Sequence, residues 1–170
     1  MSKRFIKNVY FWQKKTLESG KEGKSVNNCI YCEDISRRET ISIYLCDLKV
    51  STVYLLYDQT YPGRCAVAYR EHKTELFQLT SEERAAFMDD VALAAQAVSE
   101  LFEADKIQYA IFGDKMPHLH VHLAVKRADD PDFGSAYNLS KQEKRIFTKE
   151  QAEERAACIR QKIADIQARA

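Results

Sequence analysis

His118-Leu119-His120-Val121-His122-Leu123-Ala124 alternates imidazoles with aliphatic side chains. Successive residues of a strand point to opposite faces. Read as a strand, this stretch puts His118, His120 and His122 on one face and Leu119, Val121 and Leu123 on the other. The apolar row has to bury against a core, which leaves the imidazole row free for chemistry. The chain carries four histidines in 170 residues, so three on one strand face concentrate that chemistry. Pro117 fits a first strand position, where its missing donor costs least, and the strand is expected over His118 to Lys126.

Working outward, Gly113-Asp114-Lys115-Met116-Pro117 reads as a tight loop and Ile107 to Phe112 as a short apolar strand. Thr80-Ser81-Glu82-Glu83 is a capping box, with Glu83 three residues after the capping Thr80. Behind it Phe87, Val91, Ala94, Val98 and Leu101 recur at helical spacing, which predicts a helix over 81–104. Further upstream, Thr40 to Leu48, Thr52 to Tyr57 and Arg64 to Tyr69 read as strands, with Tyr61-Pro62-Gly63 as a turn. Downstream, Asp129-Asp130-Pro131-Asp132-Phe133-Gly134 is a loop. Ala152, Ala156, Ile159, Ile163 and Ile166 then form the stripe of an amphipathic helix. Thr148 is its N-cap, and the stripe is expected to dock on the domain or on a second subunit.

Strands, helix, strands, helix imply an α+β fold. The expectation is a single domain with a mostly antiparallel sheet, a long central helix and a C-terminal helix. The chain divides into a basic N-terminal extension (1–28), a catalytic domain (29–135) and a C-terminal helical tail (136–170). In the extension Lys3, Arg4, Lys7, Lys14, Lys15, Lys21 and Lys24 face only Glu18 and Glu22. Such an arm is either a solvated, partly mobile segment or one that faces a polyphosphate.

The bulk composition excludes several classes. At 45% hydrophobic and 30% charged residues, with a formal net charge of +1, the chain is an ordinary globular one. It shows no field that would recruit a nucleic acid polymer or a membrane. No apolar run approaches the ~20 residues of a spanning helix, and the N-terminus has no secretory pattern. A cytoplasmic protein with reduced thiols is expected, and five cysteines, an odd number, argue against a disulfide framework.

Three imidazoles on one strand face have two chemical readings. They can hold a catalytic metal with an open position. Alternatively, a neutral ring nitrogen can attack phosphorus, form a phosphohistidine and split one hard displacement into two easier ones. His120 is then the natural nucleophile, having a histidine on each side to orient it, hold phosphate oxygens or protonate a leaving group. Cys29 and Cys32 form a Cys-x-x-Cys knuckle, a pattern shared by zinc and redox sites. A redox pair normally opens a helix after a strand, whereas Cys32 leads into the charged Glu33-Asp34-Ile35-Ser36-Arg37-Arg38, which favours zinc over redox chemistry. Unliganded thiols in the core are the other reading. Cys46, Cys65 and Cys158 look like ordinary apolar residues.

The alternating histidine segment resembles the motif of the histidine triad family. The resemblance extends from Asn28-Cys29-Ile30-Tyr31-Cys32 through Tyr61-Pro62-Gly63-Arg64 and Glu71-His72 to the aspartate-rich loop near residue 132. The short loop before the triad is similar to that of a bacterial branch described as dinucleoside polyphosphate hydrolases. The resemblance implies an α+β fold, commonly a homodimer, that hydrolyses or transfers nucleotides at the α-phosphorus. It makes His120 the nucleophile, His122 a contact to the α-phosphate and His118 the support of His120. It also makes Asp58 the carboxylate that accepts both ribose hydroxyls and puts Asp114 and Lys115 beside the nucleotide. Lys115 stands where relatives use a small hydroxyl residue. A related branch, the galactose-1-phosphate uridylyltransferases, implies zinc held by Cys29, Cys32, His72 and His118. A purine nucleotide is the implied substrate. A nucleotide-binding regulatory protein with weak catalysis, and a metal hydrolase that uses the three histidines as ligands, are the competing readings.

Overall fold

Period-two alternation and its partners build one sheet with two chemically different faces. The structure, a computed structural model, describes residues 29–138, 140 and 143–169; the reading of residues 1–28 as a basic extension lies outside the described residues. The elements are α1 (Ile35–Glu39), β1 (Ser42–Asp47), β2 (Ser51–Leu56), β3 (Cys65–Tyr69), a 3-10 turn (Leu76–Gln78), α2 (Ser81–Phe102), β4 (Lys106–Ala110), β5 (His120–Lys126) and α3 (Lys149–Gln167). The five strands pair antiparallel in the order β1-β2-β3-β5-β4.

Register decides what each face carries. Ala66 lies opposite His122 and Ala68 opposite His120 on one side, and Tyr54 lies opposite Ala66 on the other. Direct partners share a face, so two alanines sit beside the histidines and leave them room. The alternate residues Val53, Leu55, Cys65, Val67, Leu119, Val121, Leu123 and Val125 fill the opposite face, which forms the core with α2 and α3. The alternation read at residues 118–123 therefore holds.

Both long helices start as their caps dictate. Thr80 Oγ1 accepts from the Glu83 amide at 3.2 Å, and Glu83 Oε2 accepts from the Thr80 amide at 2.7 Å. Thr148 and Gln151 repeat the arrangement at α3. The α3 stripe of Ala152, Ala156, Ile159, Ile163 and Ile166 is buried in the same core, so docking on the domain is the use it finds. Arg160, on the polar side of α3, donates to the carbonyls of Tyr44 (2.8 Å) and Leu45 (3.0 Å) and so caps edge strand β1 next to its bulge. The other edge, β4, leaves Tyr109 about half exposed, followed by exposed Ile111 and Phe112.

Three expectations need correction. β5 starts at His120, not His118, because the His118 amide turns back to the Met116 carbonyl (2.8 Å). The strand expected over Ile107 to Phe112 ends at Ala110. The charged segment after Cys32, contrasted in the sequence with the helix that follows a redox pair, does form a short helix, α1. Asp34 caps it by accepting from the Arg37 amide at 3.0 Å, and it is too short to show an apolar stripe. Cys65 is buried and Cys46 half-buried, as apolar residues are, but Cys158 is exposed on α3.

Candidate active site and metal centre

His118 sits in the bend ahead of β5, fully buried. Its Nε2–H donates to the Tyr69 carbonyl at 2.7 Å. A carbonyl only accepts, so the bond fixes the tautomer and leaves Nδ1 with a free lone pair. That nitrogen faces sulfur: Nδ1 lies 3.4 Å from both Cys29 Sγ and Cys32 Sγ. His72 Nδ1 joins the cluster, 3.4 Å from Cys32 Sγ. The four donor atoms all lie within 4.8 Å of one another.

The three 3.4 Å sulfur–nitrogen distances match the edges of a tetrahedral zinc centre. With Zn–S near 2.3 Å and Zn–N near 2.0 Å, the S···N edge of a tetrahedron is about 3.5 Å. A backbone carbonyl on the far nitrogen is also the usual support of a zinc-bound imidazole. Without a cation, burial and the neighbouring Cys29 push the Cys32 thiol up to about 12, and a metal reverses that balance. Cys29, Cys32, His72 and His118 therefore converge as one donor set. Among the described residues it is the one cluster of this kind. The reading of His118, His120 and His122 as ligands of a common metal does not match the geometry, because His118 turns its free nitrogen away from the other two.

His120 is held by the backbone of the same residue. Its Nδ1–H donates to the His118 carbonyl at 2.6 Å, which strips the proton from Nε2. That bare nitrogen lies 3.1 Å from His122 Nε2. His122 must then carry its proton on Nε2 and point it at the nucleophilic position. Tyr31, the middle of the cysteine knuckle, packs its ring on His118 and His120 with centroids 5.0 and 5.1 Å away. Burial pulls all three histidines below the ordinary imidazole range: His118 to about 4, His122 to about 3, and His120 in the same direction. Charge on neighbouring histidines adds to the effect at His118 and His122, and the Arg64 charge lowers His122 further. Each shift favours the uncharged ring, the form a nitrogen nucleophile needs.

His120 and His122 open into a cleft of about 240 Å³. Ile30, Ile41, Leu56 and Met116 supply its apolar lining, and Asp58 and Arg64 its charge. Asp58 follows β2 as expected, but its oxygens are engaged. Oδ1 accepts from the Thr60 amide (3.1 Å) and hydroxyl (2.6 Å), and Oδ2 pairs with Arg64 Nη1 at 3.2 Å. One acceptor position on Oδ2 is left, where two ribose hydroxyls ask for more. Asp114 and Lys115 are exposed in the loop after β4; Met116 reaches the cleft and they do not line it.

Two contributors went unassigned in the sequence. Arg64, which the sequence put at the head of an apolar strand, stands just ahead of β3 and directly after a Pro-Gly turn, which is a legible signal for a delivered side chain. Gly63 adopts φ +72, and a Cβ there would meet the Phe102 ring at 2.7 Å, so the turn that presents Arg64 admits only glycine. Tyr31 had no signal beyond its place between the two cysteines.

A profile of the HIT domain family matches residues 37–129. No curated protein matches the chain. Among solved structures, a histidine triad protein from Marinobacter aquaeolei superposes with a TM-score of 0.67 at 24% identity, covering 76% of this chain and 94% of the other. A zinc-bound histidine triad family protein from Mycobacterium smegmatis gives 0.63 at 19% identity, over 84% and 98% of the two chains. Diadenosine triphosphate hydrolase from Plasmodium falciparum gives 0.57 at 20%, over 72% and 76%. Identities this low speak for the fold they share.

Proposed function

This chain belongs to the HIT domain family, and from that premise we propose that it is a nucleotidyl hydrolase or transferase acting through His120. The observation that carries the reading is the pair of hydrogen bonds around that ring. The His118 carbonyl takes the Nδ1 proton, and Nε2 is left bare inside the cleft beside His122. Nε2 attacks the α-phosphorus of a nucleoside phosphate ester, anhydride or phosphoramidate. A P–Nε2 bond forms, the bond from phosphorus to the leaving atom breaks, and the leaving group takes that electron pair. His122 Nε2–H is the nearest donor for a leaving atom that needs a proton. Water then adds to phosphorus and gives up a proton, and the P–Nε2 electrons return to the ring, releasing a nucleoside monophosphate.

His118 acts through His120: its backbone aims the nucleophile while its ring belongs to the zinc centre. Zinc on Cys29, Cys32, His72 and His118 is structural, since two thiolates and two imidazoles close a tetrahedron and leave no open position. The apolar wall of Ile30, Ile41 and Leu56 suits a base, purine by the reading of the sequence. Asp58 keeps one acceptor for a ribose hydroxyl. Asp114 and Lys115, on the loop that ends in Met116, remain candidates to meet the nucleotide from outside the cleft. The chain is read as a homodimer, and β4, with exposed Tyr109 at its edge, is the free sheet edge available for it.

The test is a panel of a dinucleoside tetraphosphate, an adenosine phosphoramidate and a sugar nucleotide, with rapid quench and mass spectrometry of His120. Turnover of at least one member, an adduct on His120, and loss of both in His120→Ala with AMP binding retained support the proposal. Full activity in His120→Ala ends it. Tight AMP binding with no turnover of any member makes the chain a binding protein on the same fold.

A further inference from the structure

Buried side-chain polar atoms without a partner are rare in a folded protein, and each needs a reason. Among the described residues, Arg64 Nε, His122 Nδ1, Tyr137 OH and Asp132 Oδ1 lack a hydrogen-bond partner; Asp132 Oδ1 faces the Lys126 ammonium as an ion pair, and the other three belong to one neighbourhood. Arg64 and His122 line the same cleft. The Tyr137 ring packs on Phe112, with centroids 6.3 Å apart, and Phe112 packs on His122 at 5.6 Å. The Arg64 charge bears on both His122 and Tyr137. Two of the three atoms, Arg64 Nε–H and Tyr137 O–H, are donors without an acceptor.

Arg64 is nine-tenths buried, and among the described residues its one charged partner is Asp58, by a single contact at 3.2 Å. Of the five N–H donors of a guanidinium, that contact uses one. Among the described residues, Arg64 is also the one lysine or arginine lining the cleft. A desolvated phosphate in this cleft needs a charge partner, and no other lining side chain supplies one.

We infer that Arg64 and Tyr137 form an anion subsite beside His122 that binds non-bridging oxygens of the substrate's phosphate, with Asp58 positioning the guanidinium. The inference rests on the nucleotide reading above and deepens it. The cleft thereby separates its tasks: His120 attacks, and Arg64 supplies a fixed positive charge. Arginine suits the place because its planar fork can serve Asp58 with one edge and an anion with another.

The experiment is calorimetric titration of the full-length, zinc-replete protein with AMP, adenosine and inorganic pyrophosphate, in wild type, Arg64→Gln, Arg64→Lys and Tyr137→Phe. Wild type is expected to bind AMP more tightly than adenosine. Arg64→Gln should weaken AMP about ten- to a hundredfold, the scale of a lost charge-assisted hydrogen bond, and leave adenosine unchanged. Arg64→Lys should recover part of the loss, and Tyr137→Phe should show a smaller loss with the same selectivity. If Arg64→Gln does not fold, Arg64→Lys and Tyr137→Phe carry the test, through the gap between AMP and adenosine. Equal losses for AMP and adenosine, or AMP binding unchanged in the folded variants, overturn the subsite and leave the nucleotide reading standing. Pyrophosphate binding that depends on Arg64 in a protein that binds neither AMP nor adenosine preserves the subsite and ends the nucleotide reading. No binding of any probe ends both.

Discussion

Replacing Cys32 by alanine tests whether the four-donor cluster is a working zinc centre. The cluster ties together segments far apart in sequence: Cys29 and His118 are 89 residues apart, and Cys32 and His72 are 40 apart. Treated as cross-links, these closures restrict the unfolded chain by about 4.6 and about 3.9 kcal/mol. The loops overlap, so the two values do not add. Cys32→Ala removes the donor shared by both histidines, and its cost is set by one closure, about 4 kcal/mol. For a chain of this size that lowers Tm by about 8–16 °C. The second effect is on activity. His118 loses its anchor, its carbonyl no longer fixes the His120 ring, and kcat should fall about 10–100-fold, the usual scale for a lost support of this kind. Elemental analysis, thermal melting and the turnover assay are read on the same preparations. Wild type should contain one zinc per chain and Cys32→Ala much less. A variant that keeps stoichiometric zinc and the wild-type Tm, or a wild type that takes up no zinc at all, refutes the assignment.

Three further outcomes follow from the packing. Ile163, 2% exposed in the α3 stripe, should cost about 2–5 kcal/mol when cut to alanine. Urea titration reads this as a lower midpoint at constant m, and a loss below about 1 kcal/mol means that α3 is not docked as described. Asp132 pairs with the buried Lys126 ammonium and accepts from the Tyr61 hydroxyl at 2.5 Å. Burial raises its pKa, but these two partners more than offset that and hold it below the ordinary range. A depressed native value stabilises the fold above the unfolded pKa, about 3.9, and the contribution disappears as pH falls through the native value. Asp132→Asn should therefore be less stable than wild type at pH 7, and the gap should close in acid; a gap of constant size down to about pH 2.5 contradicts the assignment. Tyr109→Lys places a charge on the free edge of β4 and should convert a dimer to a monomer in light scattering. An unchanged dimer moves the interface elsewhere.

The parts of the fold that repeat were legible in the sequence. Alternation at 118–123 announced a two-faced strand, the Thr80 box and the Thr148 cap marked where both long helices begin, and the isoleucine spacing gave the buried face of α3. The boundaries that moved depend on tertiary bonds with no local mark. His118 leaves the strand because its amide meets Met116 and its ring meets two sulfurs from a segment 89 residues away. The donor set of the metal centre was readable as a pattern because zinc chemistry admits few residue types. Arg64 was visible as an odd residue at the head of an apolar run, but its significance lies in a hydrogen bond that is missing, and only coordinates record that. Asp58 illustrates the converse: its position was anticipated, and its bonds to Thr60 and Arg64 reduce what it can offer a ribose.

Arg160 limits how this protein can associate. A sheet with two bare edges can accept a neighbour at each end and continue without limit, which is the geometry of a fibre. Here the guanidinium occupies the Tyr44 and Leu45 carbonyls at the β1 edge, so a neighbour arriving there has to displace it. Among the described residues β4 has no such guard, and two copies that meet through β4 about a twofold axis use up both of those edges. One side chain of α3 thus biases association towards a closed pair rather than a continuing sheet.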